Sequence, residues 1–144
     1  MKISSKSRYG LRALVDLAAN SENENITIKS IAKRQEISEN YTENIFSELR
    51  RAGIVRGKKG SQGGYVLIKE ASNLKIGDVI RAIEGPIKII DDDANENAID
   101  KCIRKNVWNK IDQTLNDFMD SITLEDLVKE YKRVNNIDAF MYYI

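Results

Sequence analysis

Histidine is absent from this 144-residue chain, and cysteine occurs once, as Cys102. Without an imidazole, no Ser/His/Asp or Cys/His arrangement exists, so catalysis of those kinds is unsupported and an enzyme is not expected. One thiol cannot close an internal disulfide, which suits a reducing compartment. No apolar run approaches the roughly 18 to 20 residues that a membrane span requires. The opening stretch MKISSKSRYG carries no apolar h-region, so no secretory signal is expected and a cytoplasmic location is. Proline is nearly absent too: Pro86 is its single occurrence.

What remains is 42% apolar and 31% charged, the balance of a soluble globular protein rather than a disordered one. The length suits one ordinary domain, or a small domain with an accessory piece. A net charge of +1 conceals an asymmetry. Residues 1–85 hold 15 Lys/Arg against 10 Asp/Glu, whereas residues 86–144 hold 8 against 12. The front is therefore basic by five charges and the back acidic by four. Such a division points to an anionic partner for the front half alone, although solvated basic faces are common.

Periodicity places a first helix over 7–20, with Leu11, Leu14, Val15 and Ala18 on one stripe and Ser7 as its cap. After the polar loop SENEN, Thr27 caps a short helix with the stripe Ile28, Ile31 and Ala32. Ser38 caps a third helix, ended by Gly53, whose buried face is expected to be Tyr41, Ile45, Phe46 and Leu49. Its outer face shows Glu39, Asn40, Glu43, Asn44, Arg50 and Arg51. Two short helices joined by a tight turn, the second polar outside, form a helix-turn-helix, though any small helical bundle contains such a pair.

The next stretch, IVRGKKGSQGGYVLI, predicts a β-hairpin with a glycine-rich tip. A phosphate-cradling loop is the alternative for GSQGG, but such loops lead into a helix N-terminus and this one leads into the strand YVLI. A hairpin bearing Arg56, Lys58 and Lys59 directly after a helix-turn-helix is a wing. Its glycines let the backbone approach a sugar-phosphate rail, and its cations supply salt-dependent affinity.

A further helix is expected within 74–85, capped by Asp78 and stopped by Gly85 and Pro86. The acidic stretch IKIIDDDANEN follows, in which Asp91–Asp93 form either a cation site or a solvated loop. From about 98 to 120 one long helix, roughly 35 Å at 1.5 Å per residue, carries Ile99, Ile103, Val107, Ile111, Leu115 and Phe118. Trp108 and Met119 widen its apolar surface beyond what one wing domain covers, so a two-fold dimer is expected across Ile103, Val107, Ile111, Leu115 and Phe118. Thr123 and Asp126 read as a capping box for a last helix, 124–132, which RVNNID breaks, leaving an apolar tail, DAFMYYI.

The stretches MKISSKSRYGLRALVDLA, ISENYTENIFSELRRAGIVRGKKGSQGGYVL, IGDVIRAIEGPI and SITLEDL together resemble the Rrf-two-type winged-helix transcription regulators, and among them the CymR-type repressors of cysteine metabolism. The resemblance implies a mostly α fold with a small β-hairpin wing (α+β) and a long dimerisation helix. It also implies dimers that bind near-palindromic double-stranded operators. Its layout on this chain is a winged helix-turn-helix DNA-binding domain over 1–85, an acidic linker over 86–97, dimerisation helices over 98–134 and a C-terminal tail over 135–144.

Carried over residue by residue, the resemblance puts Ser38, Asn40, Tyr41, Glu43 and Asn44 in the major groove. Asn suits an adenine edge, Glu suits cytosine N4, and Ser and Tyr suit phosphates. Tyr41 also lies on the buried stripe, so both places stay open for it. Lys59 and Gly60 match the wing position that reaches the minor groove, and Lys6, Arg8 and Tyr9 match a phosphate-contacting segment.

Cluster-binding members of the family use three cysteines and often a histidine before the long helix. Here CIRKNVW aligns Cys102 with the third cysteine, Trp108 keeps the frame, and Glu96 and Ile90 fall where the others belong. Lys105 stands in the histidine's place. One thiolate with scattered carboxylates is not the soft ligand set of an iron–sulfur cluster, so no cofactor or metal is expected. Cys102 is a possible redox residue, since Lys101, Arg104 and Lys105 favour its thiolate; a half-buried cysteine on a dimer helix is the plainer reading.

The tail has two readings: packing on its own dimer, or docking on a partner. The resemblance implies a partner, cysteine synthase (O-acetylserine thiol-lyase), with Tyr143 and Ile144 as the anchor and Ile144 supplying a carboxylate to an amino-acid site. The expected function is thus a dimeric, sequence-specific repressor of sulfur and cysteine metabolism genes. A cluster-free thiol sensor on the same scaffold is the first alternative, and a winged-helix protein-interaction module without DNA binding is the second.

Overall fold

The structure, a computed structural model, describes residues 2–21, 26–60 and 64–142, with side chains described only as far as residue 136. Its order is α1 (Ser5–Ala19), α2 (Ile28–Gln35), α3 (Glu39–Arg51), β1 (Val55–Gly57), β2 (Tyr65–Leu67), α4 (Ile76–Glu84), α5 (Ala98–Ile103), α6 (Asn109–Asp120) and α7 (Leu124–Tyr142). A 3-10 turn at Ala71–Asn73 precedes α4, and a π-helical turn at Arg104–Trp108 joins α5 to α6. The fold is mostly helical with a two-stranded antiparallel wing, pairing Val55 with Leu67, Arg56 with Val66 and Gly57 with Tyr65.

Helices α1 to α3 pack their apolar stripes together. Leu14, Ile31, Ile45, Phe46 and Leu49 are all essentially inaccessible, and Val55 and Tyr65 close the core from the wing side. Gly10 allows the close approach of α1 to α4, since a Cβ there would stand 2.6 Å from Ile83 Cδ1. Leu124 and Val128 of α7 join this same core. Backbone bonds from Ile76 N to Ile122 O (2.9 Å) and Leu124 N to Leu74 O (2.8 Å) clip the starts of α4 and α7 together. A second cluster, Ile76, Ile80 and Ile87, is covered by Met119 and Ile122. No described helix is long and apolar enough to cross a membrane.

Several caps stand where the sequence places them. Thr27 and Ser30 form a reciprocal capping box on α2, Ser38 caps α3, and Thr123 and Asp126 exchange bonds of 2.9 and 3.1 Å at the start of α7. Other expectations need correction. Ser4, not Ser7, caps α1; its hydroxyl accepts from Ser7 N at 3.1 Å. Ser7 is fully buried and donates to Glu84 Oε1 at 2.6 Å, so tertiary contact claims a residue that local pattern assigns to a cap. Asp78 does not cap α4, whose N-cap is Lys75; it lies inside the first turn, 3.5 Å from Arg81. On α3, Tyr41 is half-buried, while Thr42 is buried and bonds Ser38 O at 2.8 Å.

The last helix does not stop at 132 but runs on to Tyr142. RVNNID contains neither Gly nor Pro, and ordinary residues cost at most about 0.7 kcal/mol each in a helix, too little to end one already nucleated and packed. The long helix over 98–120 is present, but its π turn was not legible. Apolar residues every four positions, from Ile99 to Leu115, drift by about 40° per step on an α-helix. The wider π turn absorbs an extra residue midway, which reduces the drift.

Candidate nucleic-acid interface

Helix α3 leads with Ser38, whose Oγ accepts from Tyr41 N at 3.1 Å. That cap sets the helix start, so Asn40, Glu43 and Asn44 emerge exposed from one side while Ile45, Phe46 and Leu49 anchor the other. Behind it, the buried carboxylate of Asp16 fastens α2 to α1. It accepts from Arg34 Nη2 at 2.6 Å and from Gln35 Nε2 at 2.8 Å. The bond to Asp16 raises the Arg34 guanidinium further above its already high value, against a smaller opposing effect of burial.

The N-terminal segment is tied to α3 by side chains. Tyr9 meets Tyr41 edge to face, ring centres 6.0 Å apart, and the Arg12 guanidinium lies 4.8 Å from the Tyr9 ring centre. Tyr41 thus sits between the two places open to it, half-buried against Tyr9. Lys6 pairs with Glu48 Oε1 at 2.6 Å, while Glu48 Oε2 is buried with no hydrogen-bond partner among the described residues. Arg8 is exposed and held lightly by Ser5 Oγ at 3.1 Å.

The wing returns to the same surface. Lys58, Lys59 and Gly60 are exposed at its described tip, and Lys58 N bonds Gly64 O at 2.8 Å. Gly64 has φ +140, and a Cβ would stand 2.8 Å from Ile26 O, so only glycine fits there. Tyr65 is buried, stacks on Phe46 with ring centres 5.1 Å apart, and donates from its hydroxyl to Glu43 Oε1 at 2.7 Å. Burial, and then that bond, push the phenol above its ordinary value, so it stays a donor. A polar groove results, lined by Thr27, Lys29, Glu39, Asn40, Glu43 and Gly64.

Lys6, Arg8 and Tyr9, the start of α3, and the wing are therefore joined by direct contacts or short links. Sequence reasoning missed Tyr65, Arg12 and Glu48 as members of this group. Tyr65 had a signal, since GGY-L belongs to the pattern quoted above; Arg12 and Glu48 had none, because both are ordinary polar positions on amphipathic helices.

Away from this surface, Ile99, Ile103, Val107, Ile111 and Phe118 are exposed apolar residues on the long helix, with Leu115 half-buried. The opposite side of α6 is engaged with α4 and the linker: Arg81 bonds Asn116 Oδ1 at 2.8 Å and pairs with Asp120, and Ile89 N donates to Asp112 Oδ1 at 2.7 Å. Cys102 is exposed on α5. Arg104 is committed to Glu96 and to Asp92, which lies 3.6 Å away, so its charge is already paired. Tyr143 and Ile144 lie outside the described residues.

The sequence pattern of the Rrf2 family, described as iron-dependent transcriptional regulators, matches residues 3–130. The regulator CymR of Bacillus subtilis is 38% identical over 144 residues, the full length of both chains. Its solved structure, described as that of the global cysteine regulator, superposes with a TM-score of 0.76 at 38% identity, covering 90% of this chain and 98% of that one. The structure of T. potens IscR superposes at 0.73, also with 38% identity, covering 93% and 90%.

Iron finds no suitable donors at the position the family implies. Cys102 stands alone, Glu96 is neutralised by Arg104, Ile90 has no donor atom, and no group of three His, Cys, Asp or Glu among the described residues is placed to hold a metal ion. With or without that metal, the winged fold and the full-length similarity carry the same conclusion: the chain belongs to the Rrf2 family of DNA-binding transcriptional regulators.

Proposed function

We propose that this chain is a homodimeric repressor of sulfur and cysteine metabolism genes that binds a near-palindromic operator. The observation that carries the reading is the joining of α1, α3 and the wing through Tyr9–Tyr41 and Tyr65–Glu43. On it, Asn40, Glu43 and Asn44 read base edges, Ser38 and Tyr41 hold phosphates, Lys59 and Gly60 enter the minor groove, and Lys6, Arg8 and Tyr9 grip the backbone. Lys6 exchanges Glu48 for a phosphate as it does so. Residues 1–85 supply these contacts and the exposed row on 98–120 supplies the two-fold seam, which spaces two reading helices by about one DNA turn.

The signal is cysteine supply. A relative titled as a global cysteine regulator supports this, and the family resemblance supports cysteine synthase as partner, with Tyr143 and Ile144 as the anchor. O-acetylserine competes with that anchor and shifts the complex by mass action.

One experiment separates the readings. Full-palindrome and half-site duplexes are titrated at two salt concentrations, alone and with cysteine synthase, using the whole chain and a chain lacking Ile144. Salt-dependent preference for the palindrome, enhanced by the enzyme only when Ile144 is present, is the expected result. Absence of any duplex binding returns the protein-interaction module. Undiminished enzyme binding by the shortened chain removes Ile144 from the anchor.

A further inference from the structure

We infer that Tyr65, a wing residue outside the major groove, is a positioning residue for operator specificity that acts through Glu43. This rests on the reading of Glu43 as a base contact. Glu43 is exposed on the third helix, and a glutamate there has several rotamers open to it, each presenting its carboxylate to a different part of the groove. The bond from Tyr65 Oη at 2.7 Å removes that freedom. Among the described residues no other hydrogen bond or ion pair holds this carboxylate.

The phenol is itself immobile. Tyr65 is 8% exposed, its ring lies nearly parallel to that of Phe46 at 25°, and its backbone pairs with Gly57 across the wing. Phe46 is fully buried on α3, one turn from Glu43. The hydroxyl is thus fixed relative to the helix that carries Glu43, and it occupies one lone pair of Oε1 while leaving Oε2 for a cytosine amino group. A carboxylate pinned in this way discriminates more sharply than a mobile one, because a mismatched base cannot be met by a change of rotamer. Wing and recognition helix consequently act on sequence together, although only the helix touches the base.

The test is a double-mutant cycle of Tyr65→Phe and Glu43→Ala, read as binding of the whole chain to a panel of operators varied one base pair at a time. Tyr65→Phe keeps the stack on Phe46. It is expected to lower discrimination at one base pair by at least about five-fold, with the salt slope and affinity for random duplex unchanged. In the Glu43→Ala background the same substitution is expected to change nothing further. If Glu43→Ala shifts the preference and Tyr65→Phe does not, the inference is overturned while the Glu43 reading stands. If Glu43→Ala leaves the preference unaltered, the Glu43 reading itself fails, and the inference with it. A uniform loss across all duplexes in Tyr65→Phe marks a purely structural residue and also overturns it. Glu43→Gln gives a second check that leaves Tyr65 untouched. Its amide oxygen still accepts from the phenol, so the preference moves to a different base; a flattened preference refutes the positioning.

Discussion

Ile111→Asp tests the proposed two-fold seam, which recognition of a palindrome would require. Ile111 is 37% exposed in the single chain, so roughly a third of its surface remains for a partner to cover. Full burial of isoleucine is worth about 1.5–3 kcal/mol, which leaves about 0.5–1 kcal/mol to be gained at the seam. An unpaired carboxylate in the same place costs several kcal/mol in desolvation, and symmetry imposes it twice. A total of at least about 4 kcal/mol corresponds to roughly a thousand-fold weaker dimer. The monomer is expected to keep its fold, because α6 is held from its other side by Asn116, Asp112 and the Arg81–Asp120 pair. Sedimentation velocity over a range of concentrations reads the dissociation, circular dichroism checks the helices, and duplex titration should show palindrome affinity falling to that of a half-site. A variant that remains dimeric at concentrations far below those used for the wild type refutes this seam.

Two further substitutions test the wing and the contact between α1 and α4. Lys59→Ala should weaken every duplex alike and reduce the slope of log affinity against log salt by about one, measured by fluorescence anisotropy; a change in operator ranking would show that Lys59 reads bases instead. Ser7→Ala should destabilise the fold by about 1–2 kcal/mol at neutral pH, because it removes a buried donor to a carboxylate. Contacts from Ser4 and then Ser7 hold Glu84 below its ordinary value, so this stabilisation is fully present above the ordinary glutamate range and fades as pH falls through the lower folded value. The Tm difference between Ser7→Ala and wild type, at fixed protomer concentration, should therefore shrink in acid; a constant difference would place the effect outside Glu84.

Much of the architecture was written in local pattern. Thr27, Ser38 and Thr123 each precede an apolar stripe of helical period, and each is a cap in the structure, since a cap needs only its own helix. The hairpin over 54–68 and the stop at Gly85 were legible for the same reason: the glycines at 53 and 85 adopt positive φ values of 77° and 83° that other residues resist. The absence of histidine and of further cysteines likewise limited the chemistry before any fold was known.

Tertiary structure decided what lies between elements. Ser7 had a cap's credentials but faces Glu84, 77 positions along the chain, and no local pattern reveals that. Asp78 resembled a cap until Lys75 and Ile76 were drawn into the bridge with Thr123 and Ile122, starting α4 earlier. RVNNID looked like a break because its residues are mediocre helix formers, yet α7 enters the core at Leu124 and Val128 and carries the helix past it. The Tyr65–Glu43 bond joins positions 22 apart on different elements. Sequence determines what each segment prefers and which residues bear charge. Long-range packing alone chooses partners, because a side chain's environment depends on the elements brought against it and not on its neighbours in the chain.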